Sequence, residues 1–389
     1  MKIGIIEICE SNHYTAVEAL ALTYATSLEN HVTIFTLKEM AHHFQFQKPN
    51  INIITPQNDG SILDFLTSIN HSDLDRIHIN TISKYYKEFA SISWTAKLIL
   101  TIHNIDIWFD NDLNKRWSLL KHRLSRYKIE NLSLKLGLYL PIKYFFKEIK
   151  FQKYRNKIIE DLRLKKNKVL VYSDSQIEYL SAFFKKEDIL VFPFCIHQPT
   201  TNPSIKNNKL RICIPGSVDN HRRDYSGLFK LLQDQIISFK EHLIVDLLGY
   251  IPKSEGHLTL SISKLQNLGL EIIFNQDFID QEEYQDRLNL CDIILGNLKV
   301  SLNNQSKYGE TKETGVIFNM IKAAKPGIFP SSYPIPKNLQ KVCLVYTNDL
   351  ETVIKDLIED KNKLKELKEA AKIVAKEYEP KNLYSVLIN

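Results

Sequence analysis

Two α/β domains of Rossmann-like type, with a ligand cleft between them, are what this sequence predicts, and three observations carry the prediction. Short β-branched runs alternate with amphipathic stretches, the pattern of βαβ units and parallel sheets. The alternation pauses at a polar, proline-containing stretch, HQPTTNPSIKNN at 197–208, and then starts again. A chain of 389 residues exceeds one ordinary core and fits two of roughly 150–200 residues each. The expected domains are therefore residues 1–200 and 201–389.

In the first half the strands are expected at KIGIIEI, HVTIFTL, INIIT, RIHIN, KLILTIH, KVLVYSD and ILVFPF, with helical spacing over 15–28 and 61–69. In the second half LRICIPG, LIVDLLGY, LEIIFNQ, DIILGN, PGIFP and KVCLVY read as strands, and a charged pair of helices spans 349–377. Open parallel sheets bind ligands beyond the carboxyl ends of their strands. The loops after LTIH, LRICIPG, LLGY and DIILGN are therefore the places to look for chemistry.

Composition narrows the class. Hydrophobic residues at 44% and charged residues at 25% exclude a disordered or fibrous chain. The five cysteines, Cys9, Cys195, Cys213, Cys291 and Cys343, are odd in number and scattered, with no CxxC or Cys/His spacing. They read as buried reduced thiols of a cytoplasmic protein. No metal site is expected: the Asp-x-Asp of FDND at 109–112 is too short a pattern to carry one. The N-terminus, with Glu7 and Glu10 close to its apolar run, reads as a first strand and not as a signal peptide.

Charge is uneven. Residues 107–168 hold 17 Lys and Arg against 6 Asp and Glu, a local +11 in a chain of net +6, and leave the remainder at −5. Leu132, Leu134, Leu136, Leu138, Tyr144, Phe145, Phe146 and Phe151 are interleaved with Lys135, Lys143, Lys147, Lys150 and Lys153. Such an insert suits an anionic membrane surface, with an ordinary basic surface helix as the plain alternative. No nucleic-acid module accompanies the charge, so no nucleic-acid partner is expected.

Four places could carry chemistry. Gly216 sits at a tight turn in IPGSVDNHRRDYSG, and Arg222 and Arg223 precede a helix that begins near Asp224. Paired guanidiniums at a strand-to-helix turn suit a diphosphate. In KYGETKETGVIFNMIKAAKPG a helix start bracketed by Gly309 and Gly315 offers free amides, with Thr311 or Thr314 as its cap. Glu310 and Glu313 there would repel phosphate and suit sugar hydroxyls, or would merely complement the helix dipole. His103 follows an apolar strand in KLILTIHN and His13 follows the first strand in ESNHYTA, so both belong at carboxyl ends.

Together these places resemble the GT-B glycosyltransferases, nearest to the large retaining, family 4-like group. The motifs that carry it are PGSVDNHRRDY, then FNQDFIDQEEYQDRLNLCDIIL, then NMIKAAKPGIFP, with TIHN in the first half. The resemblance implies a hexosyltransferase-like enzyme that moves a sugar from a nucleotide-sugar donor to a glycan or lipid-linked glycan at the cytoplasmic membrane face, without metal or cofactor. By it, Arg223 holds the donor diphosphate with Arg222 assisting at Gly216. His103 and Glu310 would be catalytic, Glu313, Thr314, Gly315 and Asn319 would hold the donor, and His13 would lie on the acceptor side. Two features depart from the family: Asn319 stands at the second of two positions where it often has glutamates, with Thr311 or a neighbour such as Glu310 at the first, and CESNHYT replaces a glycine-rich first loop. A catalytically silent scaffold and a nucleotide-sugar 2-epimerase of the same fold are the alternatives. Base, sugar, acceptor, anomeric outcome and oligomeric state stay open.

Overall fold

The computed structural model describes residues 1–44, 46, 48–56, 60–109, 134–199, 208–302 and 306–388, with the backbone alone at 11, 134–145 and 147. Residues 110–112 of the Asp-x-Asp, most of the apolar and basic side chains of the insert's first half, and 200–207 of the polar stretch lie outside that description. The chain divides into two compact units: Met1–Val171 with Leu180–Val191, and Tyr172–Tyr179 with Phe192–Asn389.

All thirteen strands expected from the sequence are present. The first unit holds β1 (Lys2–Glu7), β2 (His31–Thr36), β3 (Ile51–Ile54), β4 (Arg76–Ile79), β5 (Lys97–Thr101), β6 (Lys168–Val171) and β7 (Ile189–Val191). They form one parallel sheet in the order β3-β2-β1-β4-β5-β6-β7, with Ile5 facing Ile34 on one side and His78 on the other. β1 is buried along all but its first residue, because a parallel sheet covered on both faces needs apolar side chains in both directions.

The second unit repeats the plan. It contains β8 (Leu210–Pro215), β9 (Leu243–Tyr250), β10 (Glu271–Asn275), β11 (Ile293–Leu295), β12 (Gly327–Pro330) and β13 (Cys343–Tyr346), in the order β10-β9-β8-β11-β12-β13. Alternate residues of β8 feed two separate cores. Ile212 and Ile214 pack with the helices Tyr225–Asp234, Gly256–Asn267 and Leu350–Glu359. Cys213 packs on the other face with Gln281–Leu290, Gly315–Ala323 and Lys361–Lys376. In each sheet the strand order reverses once, at β1/β4 and at β8/β11, and at such points the flanking loops splay and leave room for a ligand.

Helix boundaries moved in one instructive case. Spacing predicts a helix over 15–28, whereas the helix is Tyr14–Tyr24. Asn30 donates from Nδ2 to the Tyr24 carbonyl at 2.8 Å, and the Thr23 hydroxyl bonds back to Ala19 at 2.7 Å, so side chains take over the terminal carbonyls and end the helix early. The basic insert ends in a 31-residue helix, Leu134–Leu164, whose Arg155 is buried and bonds Gln152 and Glu148. Among the described residues no helix is long and apolar enough to cross a membrane. All five cysteines are free thiols, four of them buried.

The second sheet also encloses a charge that the sequence does not advertise. Asp246 of β9 is fully buried and is held by Arg211 at 2.5 Å on one oxygen and Arg287 at 2.5 Å on the other. Removing one member of such a cluster strands the others, which costs about 3–5 kcal/mol. Asp246→Ala should lower the unfolding free energy obtained from urea titration by that amount, and a loss under about 1 kcal/mol would show the cluster to be expendable.

Candidate functional site

Among the described residues, polar groups gather at the carboxyl edge of the sheet in each unit. In the second unit the cluster grows from the turn after β8. Gly216 has φ of +97°, a left-handed conformation that disfavours any side chain. A Cβ there would also stand 2.7 Å from Nη2 of Arg223. The turn is held by Asp219, whose Oδ1 accepts the amides of His221 at 3.1 Å and Arg222 at 3.0 Å, and by Asp224, which caps the next helix through the Gly227 amide at 3.1 Å.

This folding separates the two arginines. Arg222 projects into solvent, while Arg223 is 8% exposed and its Nη2 donates to the Pro215 carbonyl. The other terminal nitrogen, Nη1, is buried without a hydrogen-bond partner. Beside it runs the segment after β11: Arg223 bridges Leu298, the Lys299 amide bonds the Arg222 carbonyl at 3.0 Å, and the Asp224 amide reaches Asn297 at 3.3 Å. Asn297 is itself buried with an unpartnered Nδ2. Two unsatisfied donors from adjacent loops at β8/β11 are an arrangement suited to an anion, because each would otherwise carry the cost of desolvation uncompensated. Sequence reading missed Asn297, although it directly follows DIILG, one of the loops the strand order singles out.

The helix Gly315–Ala323 begins as expected at Thr314, whose hydroxyl accepts the Val316 amide at 3.3 Å. Gly315 is exposed, with open space where a Cβ would stand. Asn319 donates from Nδ2 to the Gly315 carbonyl at 2.8 Å and lies beside the Tyr284 hydroxyl, whose pKa burial raises. The glutamates part company. Glu310 is exposed and pairs with Lys307 at 3.3 Å. Glu313 is buried, its Oε1 accepting the Tyr333 hydroxyl at 2.6 Å and the Thr314 amide at 2.8 Å, and its Oε2 is left without a partner. Burial pushes the Glu313 carboxyl up to about 7; Tyr333, the Thr314 amide and Ser173 oppose the rise, and Asp174 adds to it.

In the first unit the organiser is Glu7, at the end of β1 and fully buried. Its Oε1 accepts the amides of Cys9 at 2.9 Å and Glu10 at 3.1 Å; its Oε2 accepts Nδ2 of Asn80 at 2.7 Å and lies 3.4 Å from Nδ1 of His13. The carboxylate thus folds the CESNHYT loop around itself, with no glycine needed. Thr81 joins the two histidines, its hydroxyl lying 2.8 Å from Nδ1 of His13 and 2.8 Å from Nε2 of His103. The rings stack at 4.5 Å and 7°. Nε2 of His103 also meets the Asn80 carbonyl at 2.8 Å, and a carbonyl only accepts, so that nitrogen carries the proton. Burial, followed by the neighbouring His13, pushes His103 down to about 3, so it is a neutral ring at physiological pH.

The sites predicted from sequence therefore fall into two groups. Gly216, Arg223, Thr314, Gly315 and Asn319 lie at the β8 turn and the helix start of the second unit, with Glu313 beneath them. His13 and His103 stack in the first unit. Arg222 and Glu310 point to solvent.

Neither a family model nor a curated protein sequence matches this chain. Solved structures do. Anabaena HepE, in complex with UDP and glucose, superposes with a TM-score of 0.59 at 14% identity, over 100% of this chain and 98% of that one. The fold is that of the GT-B glycosyltransferases. WaaG, a glycosyltransferase involved in lipopolysaccharide biosynthesis, matches at 0.57 and 11% identity over 100% of both chains. MnaA of S. aureus, solved with UDP, matches at 0.53 and 11%, over 99% of this chain and 93% of that one.

Glu313, which is buried, and His103, which is half-buried, give opposite pH dependences. The ordinary imidazole titrates near 6.5 and His103 near 3, so its contribution to stability is lost as the pH falls from 6.5 towards 3. Glu313 titrates near 7 against an ordinary 4.5, so the folded state binds the proton more tightly and loses stability as the pH rises from 4.5 to 7, by up to roughly 3 kcal/mol. Glu313→Gln should remove that loss. Its thermal midpoint relative to the unaltered protein should climb by several degrees between pH 5 and 8, and a constant difference would show the carboxyl to be ordinary.

Proposed function

We propose that this protein is a glycosyltransferase that moves a sugar from a nucleotide-sugar donor, held by the second unit, to a glycan or lipid-linked glycan acceptor. The observation that carries the reading is Arg223: a buried guanidinium, folded over Gly216 where the strand order reverses, with Nη1 unsatisfied. HepE and MnaA, both solved with UDP, share the fold and support a nucleotide donor.

The chemistry follows from charge. As the bond between the sugar and the diphosphate breaks, negative charge gathers on the leaving oxygen. Donors fixed beforehand by the fold stabilise that charge more than they stabilise the intact donor, which lowers the barrier. Arg223 and Asn297 supply such donors, and the Gly315 helix start supplies amides and the positive end of a dipole. The protonated form of Glu313, favoured by its burial, adds no repulsion near a phosphate and suits a sugar or ribose hydroxyl. In the first unit the resemblance gives His13 to the acceptor side and His103, a neutral ring, a catalytic role. No metal takes part in this scheme. The likeness of motif order to the large retaining family supports retention at the anomeric carbon.

Calorimetry with UDP- and GDP-sugars tests the donor site. Arg223→Ala should weaken binding by roughly 1.5–3 kcal/mol, the range of a hydrogen bond to a charged group, and Arg222→Ala and Glu310→Ala by far less. Equal affinities for Arg223→Ala and the unaltered protein would return the turn to a structural role.

A place on the anionic inner face of the membrane is the second part of the reading. On the helix Leu134–Leu164, Phe146, Ile149, Lys150, Lys153 and Lys157 are exposed at helical spacing. Each basic side chain near such a surface contributes about 1 kcal/mol, and salt does not screen the apolar part. The protein should sediment with anionic vesicles and not with neutral ones, and Phe146→Ser should reduce the bound fraction. Protein left in the supernatant at low salt would mark the helix as an ordinary basic surface.

A further inference from the structure

Beyond the turn at Gly216 the second unit displays a feature that neither its core nor the site above uses. Tyr250, the last residue of β9, is 40% exposed, and Phe278, in the loop after β10, is 84% exposed. Their rings lie 6.3 Å apart between centroids and are tilted by 46°. Ile237 and Leu260 are comparably exposed, but they are aliphatic side chains on helices, and exposed single aliphatics are usual on protein surfaces. Two neighbouring aromatic rings held in solvent at the ligand end of a sheet are not.

Their position ties them to the diphosphate turn. The Val218 amide bonds the Tyr250 carbonyl at 3.0 Å, and Gly249 is pressed so close to the turn that a Cβ there would stand 2.2 Å from the Gly216 oxygen. Tyr250 also pairs with Asn275, three residues before Phe278. The series from Arg223 to Tyr250 to Phe278 therefore steps across the carboxyl ends of β8, β9 and β10. Neighbouring strands lie about 4.8 Å apart, so the span is on the order of 10 Å, comparable to the reach from a diphosphate to the base of its nucleoside.

We propose that Tyr250 and Phe278 form a stacking platform for the nucleobase of a nucleoside diphosphate whose phosphates lie at Gly216 and Arg223. The proposal rests on the donor-site reading above. Stacking uses the π face that every base possesses, so recognition of this kind is tolerant of base identity. Substituting Phe278 should leave the fold intact, since the ring is almost fully in solvent.

Calorimetry with UDP, ADP and inorganic pyrophosphate separates the two parts of the site. Phe278→Ala is expected to weaken UDP and ADP alike by about fivefold to a hundredfold, the usual worth of one stacked base, and to leave pyrophosphate binding unchanged. Phe278→Trp should restore the nucleotides, and Tyr250→Leu should mimic the alanine variant. Undiminished UDP and ADP affinity in Phe278→Ala overturns the platform while the diphosphate turn stands, and marks the rings as a surface for something other than a nucleotide. Pyrophosphate lost together with the nucleotides also overturns it, since the substitution would then act on the turn. An unaltered protein that binds none of the three overturns the platform and the donor-site reading together.

Discussion

A parallel sheet buried on both faces leaves a chain few places for polar side chains, and in both units of this protein they gather where the strands end. Within β1, β8 and β9 most side chains are apolar and buried, the charged exception being Asp246 of β9 with Arg211 of β8 and Arg287. At the last residue, or just past it, that constraint lifts and charge appears: Glu7 at the end of β1, and Arg223 folded against the end of β8. A group half-removed from water must be matched by partners on the protein or by a ligand. The two units answer differently. Glu7 is met by four protein groups, whereas Arg223 keeps one nitrogen unmatched.

That difference sorts the two centres by character. Around Glu7 most polar groups hold one another: Thr81 and the Asn80 carbonyl fix the rings of His13 and His103, although the side-chain oxygen of Asn80 has no partner. Such a network orients side chains before anything binds. Around Arg223 the protein leaves unmatched donors on Arg223 and Asn297, and an exposed helix start. A carboxylate organises the first loop from within, and an anion is what the second turn lacks. The opposite signs at equivalent places of two similar sheets are a division of labour that the shared topology alone does not impose.

Much of this was legible in the sequence. The thirteen strands stood out as short β-branched, apolar runs, and PGSVDNHRRDYSG disclosed its turn through Gly216 and a helix start near Asp224. Three things were not legible. Glu7 looked like a charge breaking an apolar run, since its four partners come from residues as far away as Asn80. The adjacent Arg222 and Arg223 have the same chemistry, and only the backbone path through Leu298 decides which one is buried. Glu310 and Glu313 lie three residues apart, yet one pairs with Lys307 in solvent and the other meets Tyr333 from a distant loop. Local pattern finds elements; which side chain of a pair turns inward is settled by tertiary contacts.

The short stretch Tyr172–Tyr179 belongs to the second unit, although the residues on either side of it, β6 and Leu180–Val191, belong to the first. Tyr172 packs edge-on against Phe318 at 5.5 Å and Phe194 at 5.3 Å, and Ser173 and Asp174 influence Glu313. The polypeptide accordingly crosses between the units three times, and neither unit is one unbroken length of chain. A ribosome has emitted the whole first sheet except β7 before the second unit begins, yet this strip must wait for Phe318, well over a hundred residues later, to find its place. Separate expression of either half by a single cut at Val191 would strand those eight residues on the wrong polypeptide and take away the floor beneath Glu313. Exchange of halves with other proteins of the same architecture would have to carry the strip along.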